Sequence, residues 1–191
     1  LPWLKARVPG PAYPSAKALR ELLQEPRNSA QTANLLGKYS SGKHRATKDG
    51  LVFETFIELG LTVVTGVVSG KIERITLHVP GPPDRPAFWG TLPHGLKAGM
   101  TAKEIKALLG DADASARFAS AQYDRLGLEL SYGRLGGSGS RVLDTVSLSE
   151  PIAPGTLVVE DLSIDANARP ADVGCIGVRG KFRYTSPAKS K

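Results

Sequence analysis

The spacing of apolar and polar positions in this 191-residue chain predicts short helices, each followed by β-strands. In the stretch TAKEIKALLG, residues 101–110, three apolar side chains share one face at helical spacing. Thr101 and Glu104 have the spacing of a capping box, and Gly110 is placed to end the helix in the left-handed conformation. We therefore predict a short helix between Thr101 and Gly110.

The earlier stretch NSAQTANLLGKYS has the same pattern, with Asn28 as the expected cap and Gly37 as the expected stop. Aligning the two stop glycines without a gap places Asn28 and Gln31 on the two residues of the capping box. The two helices are therefore predicted to be equivalent. A further helix is predicted for SAKALRELLQE, residues 15–25, with Ser15 as its cap.

Two β-rich apolar runs around a glycine- and serine-containing turn follow each of the two equivalent helices, in residues 56–79 and 123–149. The triplet LGL occurs in both, and IERITLH is similar to LDTVSLS. Two more strands are predicted in TLVVEDLSI and GCIGVRGKFRY. The pattern predicts an α+β protein in which two helix-plus-β-hairpin repeats form an antiparallel sheet, with helices packed on one face and the other face available.

The pattern divides the chain into four segments that we expect to share one compact domain. They are residues 1–79 with the N-terminal helices and the first helix–hairpin unit, the proline-rich linker 80–100, the second unit 101–150, and the C-terminal strands and tail 151–191. Five prolines in residues 80–96 disfavour regular structure in the linker.

Composition excludes some classes of protein. Hydrophobic residues make up 41% of the chain and charged residues 23%, which is typical of a globular protein. The apolar runs are much shorter than the roughly 20 residues of a membrane-spanning helix. The net charge of +7 arises mainly in residues 1–50, but the basic loop at 38–48 offers only Tyr39 for base stacking. We therefore expect no nucleic-acid partner and no membrane span.

The cellular compartment stays open. Because the chain begins at Leu1 rather than Met, we expect that an N-terminal segment has been removed. The single cysteine, Cys175, excludes an intramolecular disulfide and a multi-cysteine metal site, and we interpret it as a small buried hydrophobic residue on a strand. A bacterial protein of the periplasm or of the cytoplasm fits these observations.

Patterns for catalysis or metal binding are weak. The histidines His44, His78 and His94 have no second ligand at metal-binding spacing, so we interpret them as surface or edge residues. The pair Asp111 and Asp113 could hold a divalent cation, but a helix-ending turn with solvated aspartates explains it better. We expect no catalytic residue, no metal and no cofactor.

Four side chains are candidates for partner binding. Phe88 and Trp89 lie together in the proline-rich linker, and Tyr132 and Arg134 precede the glycine-rich tip of the second hairpin. Aromatic and arginine residues on loops are common binding anchors. The alternative for Trp89 is that it folds back as a lid on the core, and the alternative for Tyr132 and Arg134 is a solvated hairpin end.

The segment LPHGLKAGMTAKEIKALLGDAD, followed by LGLELSY and VLDTVSLSE, resembles the helix-then-hairpin unit of the beta-lactamase inhibitory protein and of small outer-membrane assembly lipoproteins. It is most similar to the tandem version in immunity proteins that neutralise bacteriocins or secreted antibacterial toxins. The resemblance covers residues 90–150 and, more weakly, 28–79. It implies a non-enzymatic immunity or inhibitor protein of bacterial antagonism, which binds a cognate toxin or enzyme and occludes its active site.

The charge adds an expectation about that partner. Inhibitors of DNA-cleaving toxins are expected to be acidic, so a basic inhibitor favours an acidic or neutral target. Two alternatives stay open. One is a periplasmic or outer-membrane accessory lipoprotein that acts as an adaptor, and the other is an enzyme with an unrecognised site, which a cluster of shifted pKa values in a pocket would indicate.

Overall fold

The computed structural model describes residues 13–81, 86–116, 119–134, 141–153, 157–164 and 178–184. The chain divides into two compact units, Leu1–Pro151 and Ile152–Lys191. Within the described residues, the class is α+β, with an eight-stranded antiparallel sheet and few helices in the first unit and a two-stranded sheet in the second. The α+β class and the antiparallel sheet predicted from the sequence are therefore confirmed.

The elements follow one another in a simple order. The helices are α1 (Ala16–Arg20), α2 (Ala30–Leu36) and α3 (Ala102–Leu109). The strands of the first unit are β1 (Lys43–Lys48), β2 (Leu51–Phe56), β3 (Leu61–Gly66), β4 (Ile72–His78), β5 (Ala114–Ala116), β6 (Ser120–Tyr123), β7 (Leu128–Arg134) and β8 (Arg141–Leu148). The second unit contains β9 (Leu157–Ile164) and β10 (Val178–Tyr184).

The large sheet consists of two four-stranded meanders that meet at its centre. Its strand order is β1-β2-β3-β4-β8-β7-β6-β5. The central strands β4 and β8 are antiparallel, and their register pairs Thr76 with Ser147. Because β1 to β4 and β5 to β8 each run as consecutive neighbours, every strand pairing in this sheet except that of β4 with β8 joins strands that follow one another in the sequence.

The two meanders match each other in detail. The β3–β4 pairing has a register shift at Val64/Thr65, and the β7–β8 pairing has one at Ser131/Tyr132. A short 3₁₀ segment precedes β3 and another precedes β7, and each ends at a left-handed glycine. These are Gly60, with φ 60°, and Gly127, with φ 57°.

One face of the sheet carries the core of the first unit. Alternate strand residues on this face share a single buried cluster with helix residues. Its strand members include Phe56, Leu61, Val63, Ile75, Leu77, Leu128, Leu130, Val146 and Leu148, and its helix members include Leu19, Leu36 and Ile105. The helices therefore pack with the strand side chains of this face.

The start of α3 confirms the predicted capping box. The backbone N–H of Glu104 donates to Thr101 Oγ1 at 3.4 Å, and the backbone N–H of Thr101 donates to Glu104 Oε2 at 2.7 Å. At the other end of the helix, Gly110 has φ 87° and ψ −163°, so it has a positive φ but lies outside the left-handed helical region.

The capping residue predicted for α2 is wrong by one position. Ser29, not Asn28, is the cap, and its hydroxyl accepts a hydrogen bond from the backbone N–H of Thr32 at 3.2 Å. Asn and Ser cap helices about equally well, so local sequence does not separate the two. Gly37 does not end the helix in the left-handed conformation either, because its φ of −60° lets the chain continue as 3₁₀ helix through Gly37–Gly42.

The first helix is shorter than the predicted residues 15–25. Ser15 caps it as predicted, but α1 ends at Arg20. After α1 the backbone pairs with the start of β4: Gln24 N–H donates to the carbonyl of Ile72, and Ile72 N–H donates to the carbonyl of Glu25. These strand-like bonds replace the helical bonds that the apolar spacing favours.

The helix-plus-hairpin repeat is not confirmed in the predicted form, because α2 and α3 are each followed by four strands. The predicted hairpins correspond to β3–β4 and β7–β8, while β1, β2, β5 and β6 are additional. None of these four strands has a long apolar run, and β5 contains only three residues. The hairpin tip GGSGS and Cys175 lie outside the described residues.

The second unit contains the two predicted C-terminal strands. They pair in antiparallel fashion from Leu157↔Tyr184 to Ile164↔Val178, with a register shift at Lys181/Phe182. Among all described helices, none has the length and apolar character needed to cross a membrane.

Candidate functional site

The face of the large sheet opposite the core carries small polar side chains, and we call it the open face. Strand register places its side chains on the side away from the buried cluster. Most of them are half-buried. The members used below are Phe53, Thr55, Thr62, Val64, Arg74, Thr76, His78, Gln122, Glu129, Ser131, Thr145 and Ser147.

A chain of hydrogen bonds crosses the open face from β2 to β4. The hydroxyl oxygens of Thr55 and Thr62 are 3.0 Å apart, and Thr62 Oγ1 lies 2.9 Å from His78 Nε2. Each partner lies on a different strand, so the chain ties three neighbouring strands together through side chains. The rotamers of the three residues are thereby held in place.

Two more hydroxyl pairs continue this pattern on the other half of the face. Thr76 and Ser147, on the two central strands, have their oxygens 2.9 Å apart. Ser131 and Thr145, on β7 and β8, have theirs 2.7 Å apart. These hydroxyl pairs connect further neighbouring strands of the face through side-chain hydrogen bonds.

Charge on the open face is sparse and balanced. Arg74 of β4 reaches across β8 to Glu129 of β7, with Nη1 and Oε2 3.7 Å apart. Both side chains are about two-fifths exposed, so their attraction is screened and contributes little to stability. The pair orients two long side chains on a face that is otherwise built from short ones.

The Thr62–His78 contact has the separation of a hydroxyl and its general base. Hydroxyl nucleophiles are activated by such an imidazole when a further group orients the ring and donors stabilise the developing oxyanion. If the protein is an enzyme with an unrecognised site, Thr62 and His78 are the residues that this contact suggests for it. His78 was expected to be an ordinary strand-end residue, and only the pairing of β3 with β4 brings Thr62 to it.

The structure places two of the four predicted binding residues inside the core. Phe88 is 1% exposed and its ring packs edge-on against Tyr13, with the centroids 5.8 Å apart. Tyr132 is 9% exposed and belongs to the core cluster, and its burial raises the pKa of its phenol to about 12. In this conformation neither ring offers an aromatic surface to a partner.

The other two predicted binding residues are more accessible. Trp89 is half-buried beside the buried Phe88, which suits a lid as well as a contact residue. Arg134 is exposed at the end of β7, where it pairs across the hairpin with Arg141. Partner contact therefore stays a prediction for Trp89 and Arg134.

The paired aspartates after α3 make local contacts. Asp111 Oδ1 lies 2.6 Å from the ammonium of Lys106, and this hydrogen bond raises the pKa of Lys106. Asp113 Oδ2 accepts the backbone N–H of Asp124 at 2.9 Å. Over the described residues, no group of three His, Cys, Asp or Glu side chains is placed to hold a metal ion.

A shallow groove of about 420 Å³ lies between α1 and α2. Its lining consists of Ala18, Glu21, Leu22, Gln31, Asn34 and Leu35. The groups with shifted pKa values lie elsewhere: for example, partial burial and then the charge of Arg20 lower the pKa of His94 in the linker. In the part of the chain that the structure describes, the groove therefore does not coincide with a cluster of perturbed titratable groups.

Comparisons with known proteins return nothing: no protein-family model, no curated protein and no solved structure matches this chain.

Proposed function

We propose that this chain is an immunity or inhibitor protein that binds a cognate bacterial toxin or enzyme through its open face and occludes the partner's active site. The observation that supports this most directly is the architecture of the sheet. Helix side chains pack against one face, while the other presents small side chains, most of them partly exposed, that are hydrogen-bonded to one another. The sequence resemblance to immunity proteins agrees with it.

The size of the face suits such a role. Eight strands about 4.8 Å apart span roughly 34 Å, and strands about 20 Å long give a face of roughly 700 Å². A standard protein–protein interface buries about 800 Å² on each partner. The face and a few loop residues at its rim therefore supply enough area for a specific complex.

The rigidity of the face also favours binding. The hydroxyl pairs hold the side chains of the face in fixed rotamers, so these side chains lose little conformational entropy when a partner binds. Because these side chains are small, a protruding loop of the partner can approach the backbone of the open face and lie across several strands. The sparse, balanced charge is compatible with the acidic or neutral partner expected from the sequence.

We also propose that the first unit contains two copies of one ancestral unit, each made of a helix and a four-stranded meander. The register shifts of β3–β4 and β7–β8 fall at equivalent positions, and so do Gly60 and Gly127. The equivalent residues Thr76 and Ser147 pair with each other across the centre of the sheet. An approximate two-fold axis through that pair would relate the two copies.

The test of the function begins with capture of partners from the lysate and secreted fractions of the source organism by the tagged full chain. A captured toxin is then purified, and its activity is measured with and without the chain. We expect one-to-one binding and loss of toxin activity. The substitution Thr76→Arg, at the centre of the open face, should weaken inhibition at least tenfold.

A matched control separates the open face from the rest of the surface. Ala107→Arg adds the same charge on the exposed side of α3 and should leave inhibition unchanged. Recovery of envelope-assembly proteins would instead support the adaptor alternative. Equal effects of the two arginine substitutions on inhibition would show that the open face is not the binding surface.

A further inference from the structure

The outer edge of β1 carries a second candidate binding surface, separate from the open face. β1 is the terminal strand of the eight-stranded sheet. It joins β2 through a two-residue turn in which Asp49 has φ 51° and Gly50 has φ 74°, the torsions of a type I′ hairpin. In such a turn the flanking residues Lys48 and Leu51 form a hydrogen-bonded pair.

The register determines which backbone groups of β1 point outward. The backbone N–H of Val67 donates to the carbonyl of Gly50 at 2.8 Å. Counting from Gly50, every second residue of β2 therefore points its backbone N–H and C=O groups toward β3. The residues between them turn toward β1. It follows that Lys43, Arg45 and Thr47 direct their N–H and C=O groups to the outer edge.

The side chains along this edge are basic. Arg45 is exposed, and Lys48 has 77% of its side chain exposed. β1 has the sequence KHRATK and contains no acidic residue. The turn residue Asp49 lies 3.8 Å from the Lys48 ammonium, but both side chains are largely exposed, so their attraction is screened. Glu54, which lies opposite Arg45 in the register, is buried on the core face and forms an ion pair with Arg27.

We propose that β1 binds an extended acidic segment of another protein, which adds to the sheet as a further strand. Outward N–H and C=O groups at every second residue match the backbone of an extended peptide, and the basic side chains match its carboxylates. A nucleic-acid strand would satisfy the charges but not the carbonyls, because its phosphates carry no donor. The edge strand at the other end, β5, has only three residues, all Ala or Ser.

Basic residues on an edge strand also prevent pairing with other copies of the same strand. The two roles are compatible, because the charges that repel a basic strand attract an acidic one. This surface lies at the sheet edge, so its test is independent of the proposed inhibition through the open face.

The test uses the full chain and a fluorescent acetyl-(Glu-Val)₄-amide peptide, with binding followed by fluorescence anisotropy. The comparison peptide is acetyl-(Glu-Pro)₄-amide, which keeps the charge but cannot pair as a strand. We expect the Glu-Val peptide to bind at least tenfold more tightly than the Glu-Pro peptide. It should also bind more tightly than an oligothymidylate that carries the same number of charges.

Charge variants test the electrostatic half of the proposal. The double substitution Arg45→Glu and Lys48→Glu should weaken binding of the Glu-Val peptide at least tenfold. The control, Lys17→Glu with Lys103→Glu, changes the net charge equally at two exposed helix positions and should change binding less than twofold.

A proline variant tests the backbone half. Thr47→Pro removes an outward N–H without removing a bond to β2, and proline is tolerated on strand edges. It should weaken binding at least tenfold, whereas Thr47→Ala should not. Thermal unfolding of both variants checks that the fold is intact.

Amide hydrogen exchange of the unmodified chain gives a readout that needs no variant. Saturating Glu-Val peptide should slow exchange at Lys43, Arg45 and Thr47 at least tenfold and leave the amides of His44 and Ala46 unchanged. Equal affinity for the two peptides, tighter binding of the oligothymidylate, or unchanged exchange at the three outward amides would overturn the proposal.

Discussion

At the residue scale, Gly60 and Gly127 are the positions where a side chain is least tolerated. Both have left-handed torsions, and a Cβ on Gly60 would lie 2.0 Å from the backbone carbon of Ala87. A Cβ on Gly127 would lie 2.2 Å from the carbonyl oxygen of Ser149. Neither backbone neighbour can move aside as a flexible side chain can, so each glycine allows another segment of chain to pass close by.

Alanine substitutions test this directly. Gly60→Ala should lower the free energy of unfolding by about 3 kcal/mol, because the strained torsion and the close contact add. Gly70→Ala has a similar φ of 64° but no atom within 4 Å of the added Cβ, so it should cost about 1 kcal/mol. Gly37→Ala, in helical backbone with open space, should be neutral or stabilising. Urea unfolding measures all three, and equal costs at Gly60 and Gly70 would contradict the role of the close contact.

The capping box of α3 makes a prediction about pH. Hydrogen bonds from the backbone and hydroxyl of Thr101 lower the pKa of Glu104 below its ordinary value of 4.5. A lowered carboxyl pKa adds stability that is complete above pH 4.5 and is lost as the pH falls through the folded-state value. Thr101→Ala should therefore lower the melting temperature more at neutral pH than in acid. Thermal melts between pH 7 and pH 3 measure the difference, and Thr101→Ser should behave like the unmodified chain.

Residue-scale features were predictable from sequence where both partners are close in the chain. Thr101 and Glu104 are three residues apart, so their reciprocal bonds follow from local geometry alone. Ser29 and Asn28 are equally good caps, and the choice between them depends on where the preceding turn ends. Phe88 and Tyr132 were expected at a binding surface, but their burial depends on strands that meet them from elsewhere in the sequence.

At the element scale, the ion pair of Arg27 with Glu54 fastens the turn before α2 to β2. Glu54 is 4% exposed, and the guanidinium of Arg27 also lies over the ring of Phe56, 5.8 Å from its centroid. Removing the cation takes a hydrogen bond and a positive charge from a carboxylate that has little access to water. The contact therefore ties a segment without regular structure to the middle of a strand.

The prediction for this contact concerns single and double substitution. Arg27→Ala should destabilise the first unit by about 3 kcal/mol, because the buried carboxylate of Glu54 loses the hydrogen bond and the positive charge that Arg27 supplies. The double variant Arg27→Met with Glu54→Leu should recover most of this loss, because both charges are replaced by apolar groups of similar size. Urea denaturation gives the two free energies, and an additive loss in the double variant would contradict the electrostatic explanation.

Strands were predictable from sequence in proportion to how many of their residues reach the core. Three of the seven residues of β4 and three of the seven residues of β7 are buried, and both strands belong to predicted hairpins. β1 has a basic sequence and its residues 45–48 are exposed, and β5 is three residues long, so neither has an alternating apolar pattern. Hydrophobic periodicity therefore detects the centre of this sheet and misses its edges.

At the scale of the whole molecule, the buried cluster of the first unit makes a prediction about truncation. Among the residues whose burial the structure describes, all members of this cluster lie between residues 13 and 151. A chain shortened to residues 1–153 should therefore keep the far-UV circular dichroism expected for the large sheet and should unfold cooperatively within a few degrees of the full chain. Calorimetry of both chains checks this, and loss of the cooperative transition would show that the C-terminal unit is needed for the fold.

The sequence repeat indicated two related hairpins but not how they join. The pairing of β4 with β8 depends on how the two four-stranded meanders fit together. This fit cannot be predicted from the sequence pattern of either strand alone. The open face was foreseen only as an available side of a sheet, because its hydroxyl pairs form between strands up to 71 residues apart. Its individual residues could not be identified without the register.

The central pairing has a consequence for how the chain folds. Within each meander, every strand pairs with its neighbour in sequence, so contact order is low and loop closure costs little conformational entropy. Among the strand pairings of this sheet, that of β4 with β8 closes the longest loop, with 71 residues separating Thr76 from Ser147. Refolding kinetics should therefore be governed by the meeting of two preassembled halves, and substitutions at that seam should slow folding more than equally destabilising substitutions in β2 or β6.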